Sequence, residues 1–153
     1  MPDVFPDQRG YFKETYARAK YEALGLRDEW LQDSVSSSHR HVLRGMHYDM
    51  RMSKLVQCLA GSIYDVIVDA REGSPTYRRW QGFELRADNH HQLYVPRGFA
   101  HGFLALEDCI VHYKLSEHFD PAHERVLSWK DPAVGIRWPL TADPILSAKD
   151  ANA

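Results

Sequence analysis

The sequence predicts a mainly β protein whose short strands form a sandwich or a barrel. Apolar runs of strand length recur at intervals of about 8–12 residues through the middle of the chain, separated by turn residues, which is typical of such folds. Helix signals are confined to regions near the termini. The chain has 153 residues, 44% of them hydrophobic, and no linker, repeat or low-complexity tract. We therefore expect a single domain over residues 1–153.

The first predicted element is a helix over residues 15–25. Thr15 is followed by good helix formers, and Gly25 suits the C-terminal cap. Near the other end of the chain, an Asp-Pro pair at 131–132 and a Trp-Pro pair at 138–139 interrupt regular structure.

The strands are predicted in the middle of the chain. Two β-rich runs, 54–60 and 63–69, meet at Gly61, and this pattern predicts a hairpin with a short glycine turn. Turn residues then separate four further predicted strands, at 79–85, 92–95, 103–106 and 109–115.

Composition and charge exclude several classes of protein. A net charge of −2 and a pI near 6.5 argue against a nucleic-acid binder. No apolar run approaches the roughly 20 residues that cross a membrane, and the first residues lack a signal-peptide profile, so we expect a cytoplasmic protein. Only two cysteines are present, Cys58 and Cys109, which excludes a disulfide scaffold and predicts two buried reduced thiols.

Three residues near the predicted strands have side chains suited to proton chemistry, and each has two interpretations. His47 is either a hydrogen-bonded structural histidine or a general base. Lys54 either extends to solvent or stabilises negative charge in a pocket. Tyr113 is either half-buried packing or a general acid. If residues 44–47 are extended, Arg44 and His47 face opposite sides of their strand.

No metal or nucleotide fingerprint stands out. His39 and His41 form the sole His-x-His, with no glutamate at a suitable spacing, so no metal site is predicted. Glycine-rich phosphate loops are absent, and a nucleotide would have to be held by side chains such as Arg9, Arg44 and Lys149. Taken alone, the polar segment 146–150 is typical of a surface tail.

Ordered motifs along nearly the whole chain resemble those of one enzyme family. The Pro-x-Gly-x-x-His pattern ending at His101 is similar to the second motif of the cupin superfamily. The full set is similar to that of the dTDP-4-dehydrorhamnose 3,5-epimerases, which act on nucleotide-linked keto-sugars. The motifs are FPDQRGYFKE (5–14), VLRGMHY (42–48), KLV (54–56), YDVIVD (64–69), SPT (74–76), QLYVPRGFAHGF (92–103), WKDP (129–132) and SAKD (147–150).

The resemblance implies a cupin-type jelly-roll barrel, usually a homodimer, that epimerises a nucleotide sugar without metal or other cofactor. It implies His47 as the base that removes a proton beside the C4 ketone, with Asp150 as its partner. Lys54 would stabilise the enolate oxygen, and Tyr113 would return a proton to the opposite face. Nucleic-acid and membrane partners are not expected.

The resemblance also implies which residues hold the substrate. His101 occupies a substrate-contact position, Phe119 is placed to stack on the base, and Ser34 stands where the family usually has asparagine. The positions matching those that hold the nucleotide and diphosphate are Arg9, Glu14, Gln32, Arg44, Glu124 and Lys149.

Several alternatives stay open on the sequence. Inversion at C3, at C5 or at both is compatible with the same residues, as are CDP- and GDP-linked sugars in place of a dTDP sugar. A metal-dependent cupin enzyme and a non-catalytic sugar-nucleotide-binding cupin are the two other classes. The pathway, for a cell-surface polysaccharide or a secondary metabolite, is not indicated.

Overall fold

The computed structural model describes residues 1–153 and contains eleven strands and two short helices. Nine strands form two antiparallel sheets that enclose the main core, and the other two form a separate hairpin. The strands are β1 (Val4–Asp7), β2 (Gly10–Lys13), β3 (Gln32–Ser38), β4 (Leu43–Tyr48), β5 (Lys54–Ala60), β6 (Ser62–Asp69), β7 (Trp80–Arg86), β8 (Gln92–Val95), β9 (Phe99–Ala105), β10 (Cys109–Leu115) and β11 (Arg125–Val126). The helices are α1 (Arg18–Ala23) and α2 (Ala148–Ala151).

The sheets bring together strands that are distant in sequence. The four-stranded sheet has the order β3-β10-β5-β8, and the five-stranded sheet has the order β11-β4-β9-β6-β7. The predicted helix is confirmed but is shorter than expected. It ends before Gly25, whose φ of +88° suits glycine and whose N–H donates to the carbonyl of Glu22.

The predicted hairpin at Gly61 is wrong. The strands on either side of it, β5 and β6, belong to different sheets, so the chain crosses from one sheet to the other at this glycine. Gly61 has a φ of +72°, and a Cβ there would lie 2.1 Å from the carbonyl oxygen of Asp108. Two β-rich runs joined by glycine have the same local pattern in a hairpin and in a corner. Only the pairing partners distinguish them.

The main core lies between the two sheets and follows the period-2 alternation of the strands. It includes Val56 and Val111 from the four-stranded sheet, and Ile63 and Phe103 from the five-stranded sheet. A second cluster lies on another face of the five-stranded sheet, where Val66 packs with the irregular segment 127–138. Inward-facing polar residues of several strands line a cavity.

Both cysteines are buried free thiols, as predicted. Burial raises the pKa of each thiol to about 11, which keeps both protonated at neutral pH. Neither helix is long and apolar enough to span a bilayer.

Candidate active site

A cavity of about 600 Å³ opens between the two sheets. Strands of both sheets contribute to its wall, together with the loop after β10 and the segment that leads into α2. The lining residues are Gln32, Ser34, Ser36, Val42, Leu43, Arg44, His47, Met52, Lys54, His101, Gly102, Phe103, Tyr113, Leu115, Phe119, Glu124, Ile145, Leu146, Ser147 and Asp150.

His47 and Asp150 form a short polar contact at the cavity wall. The Nε2 atom of His47 lies 2.6 Å from Oδ1 of Asp150, a carboxylate that is only 2% exposed. The hydroxyl of Ser147 caps α2 by accepting from the N–H of Asp150, and the Gly45 N–H donates to Asp150 Oδ2 at 3.4 Å. The imidazole therefore has one nitrogen, Nε2, held by a buried anion, while the other, Nδ1, makes no hydrogen bond.

The segment that carries Asp150 is largely exposed, as the residues alone predict, but it is docked against the barrel and buries Asp150, so it is not a free tail. A parallel bridge joins Val42 to Ile145, and backbone bonds link Ile145 to His41 and Leu43. This pairing brings the end of the chain against β4. Local sequence does not indicate that this segment contacts His47, because His47 and Asp150 are 103 positions apart.

Arg44 and His47 line the same cavity, which corrects the expectation that they face opposite sides of a regular strand. The pairing of β4 with β9 shifts register between these two residues, so the simple alternation fails there. The Arg44 guanidinium donates to the Ser38 hydroxyl at 2.9 Å and to the Ser37 carbonyl at 3.1 Å. It is thereby held as a fixed cation at the cavity wall.

Glu124 lies on the other side of the imidazole from Asp150. Its Oε1 atom is 3.6 Å from His47 Nδ1, and its other oxygen accepts from Lys149. Lys149 precedes Asp150 on α2, so this short helix carries Asp150 itself and also the lysine that binds Glu124. Lys149 is not itself part of the cavity lining.

Lys54 begins β5 and points into the cavity rather than out to solvent. Its ammonium donates to the His47 carbonyl at 3.5 Å. Burial lowers the pKa of Lys54, an effect partly opposed by the carboxylates of Glu124, Asp65 and Asp49. A partly buried cation therefore stands in the same cavity as the imidazole, next to the His47 backbone.

Tyr113 approaches from β10, in the sheet opposite to that of His47. Its hydroxyl lies 2.9 Å from the Ser36 hydroxyl. Burial raises the pKa of Tyr113 well above the ordinary tyrosine value, so the phenol is protonated at neutral pH. Its ring meets that of His101 edge to face, with centroids 6.3 Å apart. His101 is buried, and its Nε2 lies 2.6 Å from Oδ1 of the fully buried Asp65.

The rim of the cavity carries an exposed aromatic ring. Phe119 is 51% exposed, and its backbone N–H donates to the side-chain oxygen of Gln32 at 3.0 Å. The Gln32 amide nitrogen in turn donates to the Ser34 hydroxyl at 3.0 Å. These three predicted substrate-binding residues are thus grouped at one end of the cavity.

Arg9 and Glu14 lie outside the cavity. Arg9 is in the turn between β1 and β2, with its side chain 86% exposed and paired with Asp7. Glu14 follows β2 and pairs with Lys20 of α1.

Sequence reasoning missed two polar residues of this region, Ser36 and Asp65. Ser36 belongs to the series Gln32, Ser34, Ser36 and Ser38, which alternates along β3 with a strand's period of two. The alternation is one of burial and not of residue type, because Asp33 and Ser37 between them are also polar, so the residue types alone did not mark Ser36. Asp65, within an apolar strand run, gave none beyond being a charge among apolar residues. The structure contains no group of three or more His, Cys, Asp or Glu side chains that could hold a metal ion.

The family model described as dTDP-4-dehydrorhamnose 3,5-epimerase matches residues 1–153. The chain belongs to this family. Membership confirms the predicted relationship, the epimerase class of isomerase and the cupin-type jelly-roll fold.

Named proteins show how close the similarity is. A dTDP-4-dehydrorhamnose 3,5-epimerase of Methanothermobacter thermautotrophicus is 46% identical over 156 residues, an alignment covering 99% of this chain and 84% of that protein. The crystal structure of a dTDP-6-deoxy-D-glucose-3,5-epimerase from Legionella pneumophila, in complex with dTDP-4-keto-L-rhamnose, superposes with a TM-score of 0.96. It is 42% identical, and the match covers 99% of this chain and 83% of that one.

A relative named for a narrower activity also shares the fold. The 3'-monoepimerase of Streptomyces bikiniensis, solved in complex with dTDP-quinovose, superposes on this epimerase with a TM-score of 0.92. The two are 34% identical, with 99% of this chain and 79% of that chain covered.

Proposed function

We propose that the protein inverts C3, C5 or both centres of a dTDP-linked 4-keto-6-deoxyhexose. The observation that carries the proposal is the placement of His47 and Tyr113 on facing sheets of one cavity, with Lys54 beside them. Inverting a carbon centre requires a base on one face and an acid on the other. Relatives solved with dTDP-4-keto-L-rhamnose and dTDP-quinovose support the nucleotide-sugar class.

His47 is the proposed base. Its Nδ1 makes no hydrogen bond and lies 3.6 Å from Glu124 Oε1, whereas Nε2 is held by Asp150 at 2.6 Å. When Nδ1 removes the proton beside the ketone, the imidazolium that forms is stabilised by the adjacent buried carboxylate. The same contact fixes the ring orientation and tautomer.

Lys54 is the proposed stabiliser of the enolate. A proton next to a ketone is too weakly acidic for imidazole unless the charge on the ketone oxygen is stabilised as it develops. A preorganised cation in a partly desolvated cavity contributes about 3–4 kcal/mol to such a step. The depressed pKa of Lys54 also permits it to share or donate a proton to this oxygen.

Tyr113 is the proposed acid on the opposite face. Its raised pKa keeps the phenolic proton in place until a carbanion-like centre forms within reach. The neighbouring Ser36 hydroxyl orients the phenol at 2.9 Å.

The nucleotide is proposed to lie toward the rim. Phe119 offers an exposed ring for base stacking, Ser34 and Gln32 offer polar edges, and Arg44 offers a fixed cation for the diphosphate. Contact of His101 with the sugar fits its place beside Tyr113. Base, acid and cation are all side chains, so we propose that the reaction needs no metal or other cofactor.

Solvent deuterium incorporation tests the function. The protein is incubated in heavy water with dTDP-4-keto-6-deoxyglucose, and NMR follows C3 and C5. Deuterium at both carbons with inversion supports a double epimerase, and deuterium at one carbon supports a single-centre enzyme such as the Streptomyces bikiniensis relative is named to be. No exchange with this substrate or with CDP- and GDP-linked analogues would contradict catalysis and favour a binding cupin.

We also propose that the chain, folded as one domain, works as a homodimer. The hairpin of β1 and β2 stands apart from both main sheets and leaves Phe5, Tyr11 and Phe12 more than half exposed. Burial of these aromatic rings against a second copy would stabilise the assembly. Such pairing would also offer Arg9 and Glu14 to a partner's cavity, because they do not reach their own. Light scattering coupled to size-exclusion chromatography measures the mass, and a monomer at micromolar concentration would contradict the proposal.

A further inference from the structure

Each inversion leaves the protein in a protonation state that must be reset. The base has gained the proton taken from the sugar, and the acid has lost the proton given to the opposite face. Until His47 releases its proton, it cannot act on a second centre or a second substrate. The His47 side chain is 25% exposed without substrate, but a bound sugar would cover it, so a neighbouring group that takes its proton and passes it to water would allow the reset with the sugar in place.

Asp150 is poorly placed for that task. It is bonded to Nε2, the nitrogen opposite to the proposed acceptor of the substrate proton, and its side chain is 3% exposed. A proton transferred to Asp150 has no direct route to bulk solvent. Its place suits it to stabilise the imidazolium instead.

Glu124 meets the requirements that Asp150 does not. Its Oε1 lies 3.6 Å from Nδ1, the nitrogen proposed to take the substrate proton, and its side chain is 15% exposed. A movement of about half an ångström would bring the two atoms within hydrogen-bond distance, and such contacts commonly tighten in the working complex. Lys149 holds the second carboxylate oxygen and is itself half exposed, so the carboxylate is fixed at the boundary between cavity and solvent.

On the basis of the proposed function, we propose that Glu124 accepts the proton from His47 after each abstraction and so restores the neutral imidazole. The Nδ1–H bond breaks as a bond forms between that proton and Oε1. The resulting carboxylic acid then releases the proton to water and regains its negative charge. The sugar keeps the proton supplied by Tyr113, which recovers one from solvent, so no proton is gained or lost over a full cycle. This role differs from holding the diphosphate, which a carboxylate would repel.

The role predicts a kinetic difference between the first and later turnovers. In Glu124→Gln the side-chain shape is retained, but the amide does not accept the proton. We expect the first deuterium exchange per active site, measured by rapid quench in heavy water with enzyme in excess, to stay within about threefold of wild type. We expect the steady-state rate to fall about tenfold or more, which produces a burst of one exchange per active site. Added formate, a small carboxylate, should raise the steady-state rate of the variant but not of the wild type.

Two further variants make the test decisive. Glu107→Gln, a matched change in the turn between β9 and β10, should behave as wild type. Glu124→Asp keeps a carboxylate and should recover part of the steady-state rate. A parallel fall of first and later turnovers in Glu124→Gln, or a rise in KM alone, would overturn the proposal and leave Glu124 as a binding residue. Absence of exchange in wild type and Glu107→Gln alike would refute the proposed function instead.

Discussion

Replacement of Asp150 by asparagine tests the proposed base most directly, because the change removes one charge and little volume. The carboxylate is 2% exposed and lies 2.6 Å from His47 Nε2. A hydrogen bond to a charged group is worth about 1.5–3 kcal/mol, and the neutral amide also forfeits Coulombic stabilisation of the imidazolium. A combined loss of about 3–4 kcal/mol in the transition state corresponds to a fall in kcat of roughly 10²–10³-fold.

The assay is deuterium exchange at saturating substrate, with kcat and KM determined separately. We expect kcat to carry the loss and KM to change little, since Asp150 contacts the imidazole and not the sugar. Asp108→Asn is the matched control, because Asp108 also pairs with a histidine, His39, but on the exposed surface at 3.6 Å. If folded Asp150→Asn protein retained kcat within threefold of wild type, the stabilisation of His47 by Asp150 would be refuted.

Further outcomes are expected at three other residues, Lys54, Tyr113 and Asp69. Lys54→Met should lower kcat by about 10²-fold or more through loss of the cation at the enolate oxygen, whereas Lys130→Met, on the outer surface, should leave kcat unchanged. Tyr113→Phe should retain deuterium exchange by His47 but lose inversion, which NMR coupling constants distinguish. Because burial raises the pKa of Tyr113, its protonated form persists as pH rises, and wild-type activity should show no loss from tyrosine ionisation near pH 10. Asp69→Asn should lower the free energy of unfolding by about 2 kcal/mol in urea titrations, because Asp69 accepts bonds from Arg71 and two hydroxyls while buried. Those bonds depress the pKa of Asp69, so this stability is present above the ordinary carboxyl pKa near 4 and is lost as pH falls through the lower folded value. An Asp69→Asn protein as stable as wild type at pH 7 would contradict this account.

The strands that line the main core were predictable from sequence because their alternation reflects burial on one face. The polar strand β3 was not predicted, since its inward residues line the open cavity and carry no hydrophobic signal. At Gly61 the local pattern was correct, but the pairing was not, because a glycine corner and a glycine turn differ only in distant partners.

The proposed site shows the same division between local and long-range information. His47 and Tyr113 were recognisable as residue types with suitable chemistry, yet the regular-strand assumption separated Arg44 from His47. The register shift that reunites them depends on β9, which is more than 50 residues away. Asp150 was accessible only through family resemblance, because composition alone predicts that its segment is solvated.

The proposed base, His47, keeps its partner Asp150 only while the short helix α2 stays docked, and that docking contact is small. The helix has four residues, of which only Asp150 is buried, and neither hydrophobic cluster includes any residue beyond Trp138. Detachment of this segment would leave both sheets and their packing in place while removing the carboxylate from His47. Segments with so little buried apolar surface open at a free energy far below that of global unfolding. With His47 as the base, we therefore expect the fraction of competent enzyme to follow this local equilibrium, so that on heating catalysis fades while the barrel remains folded.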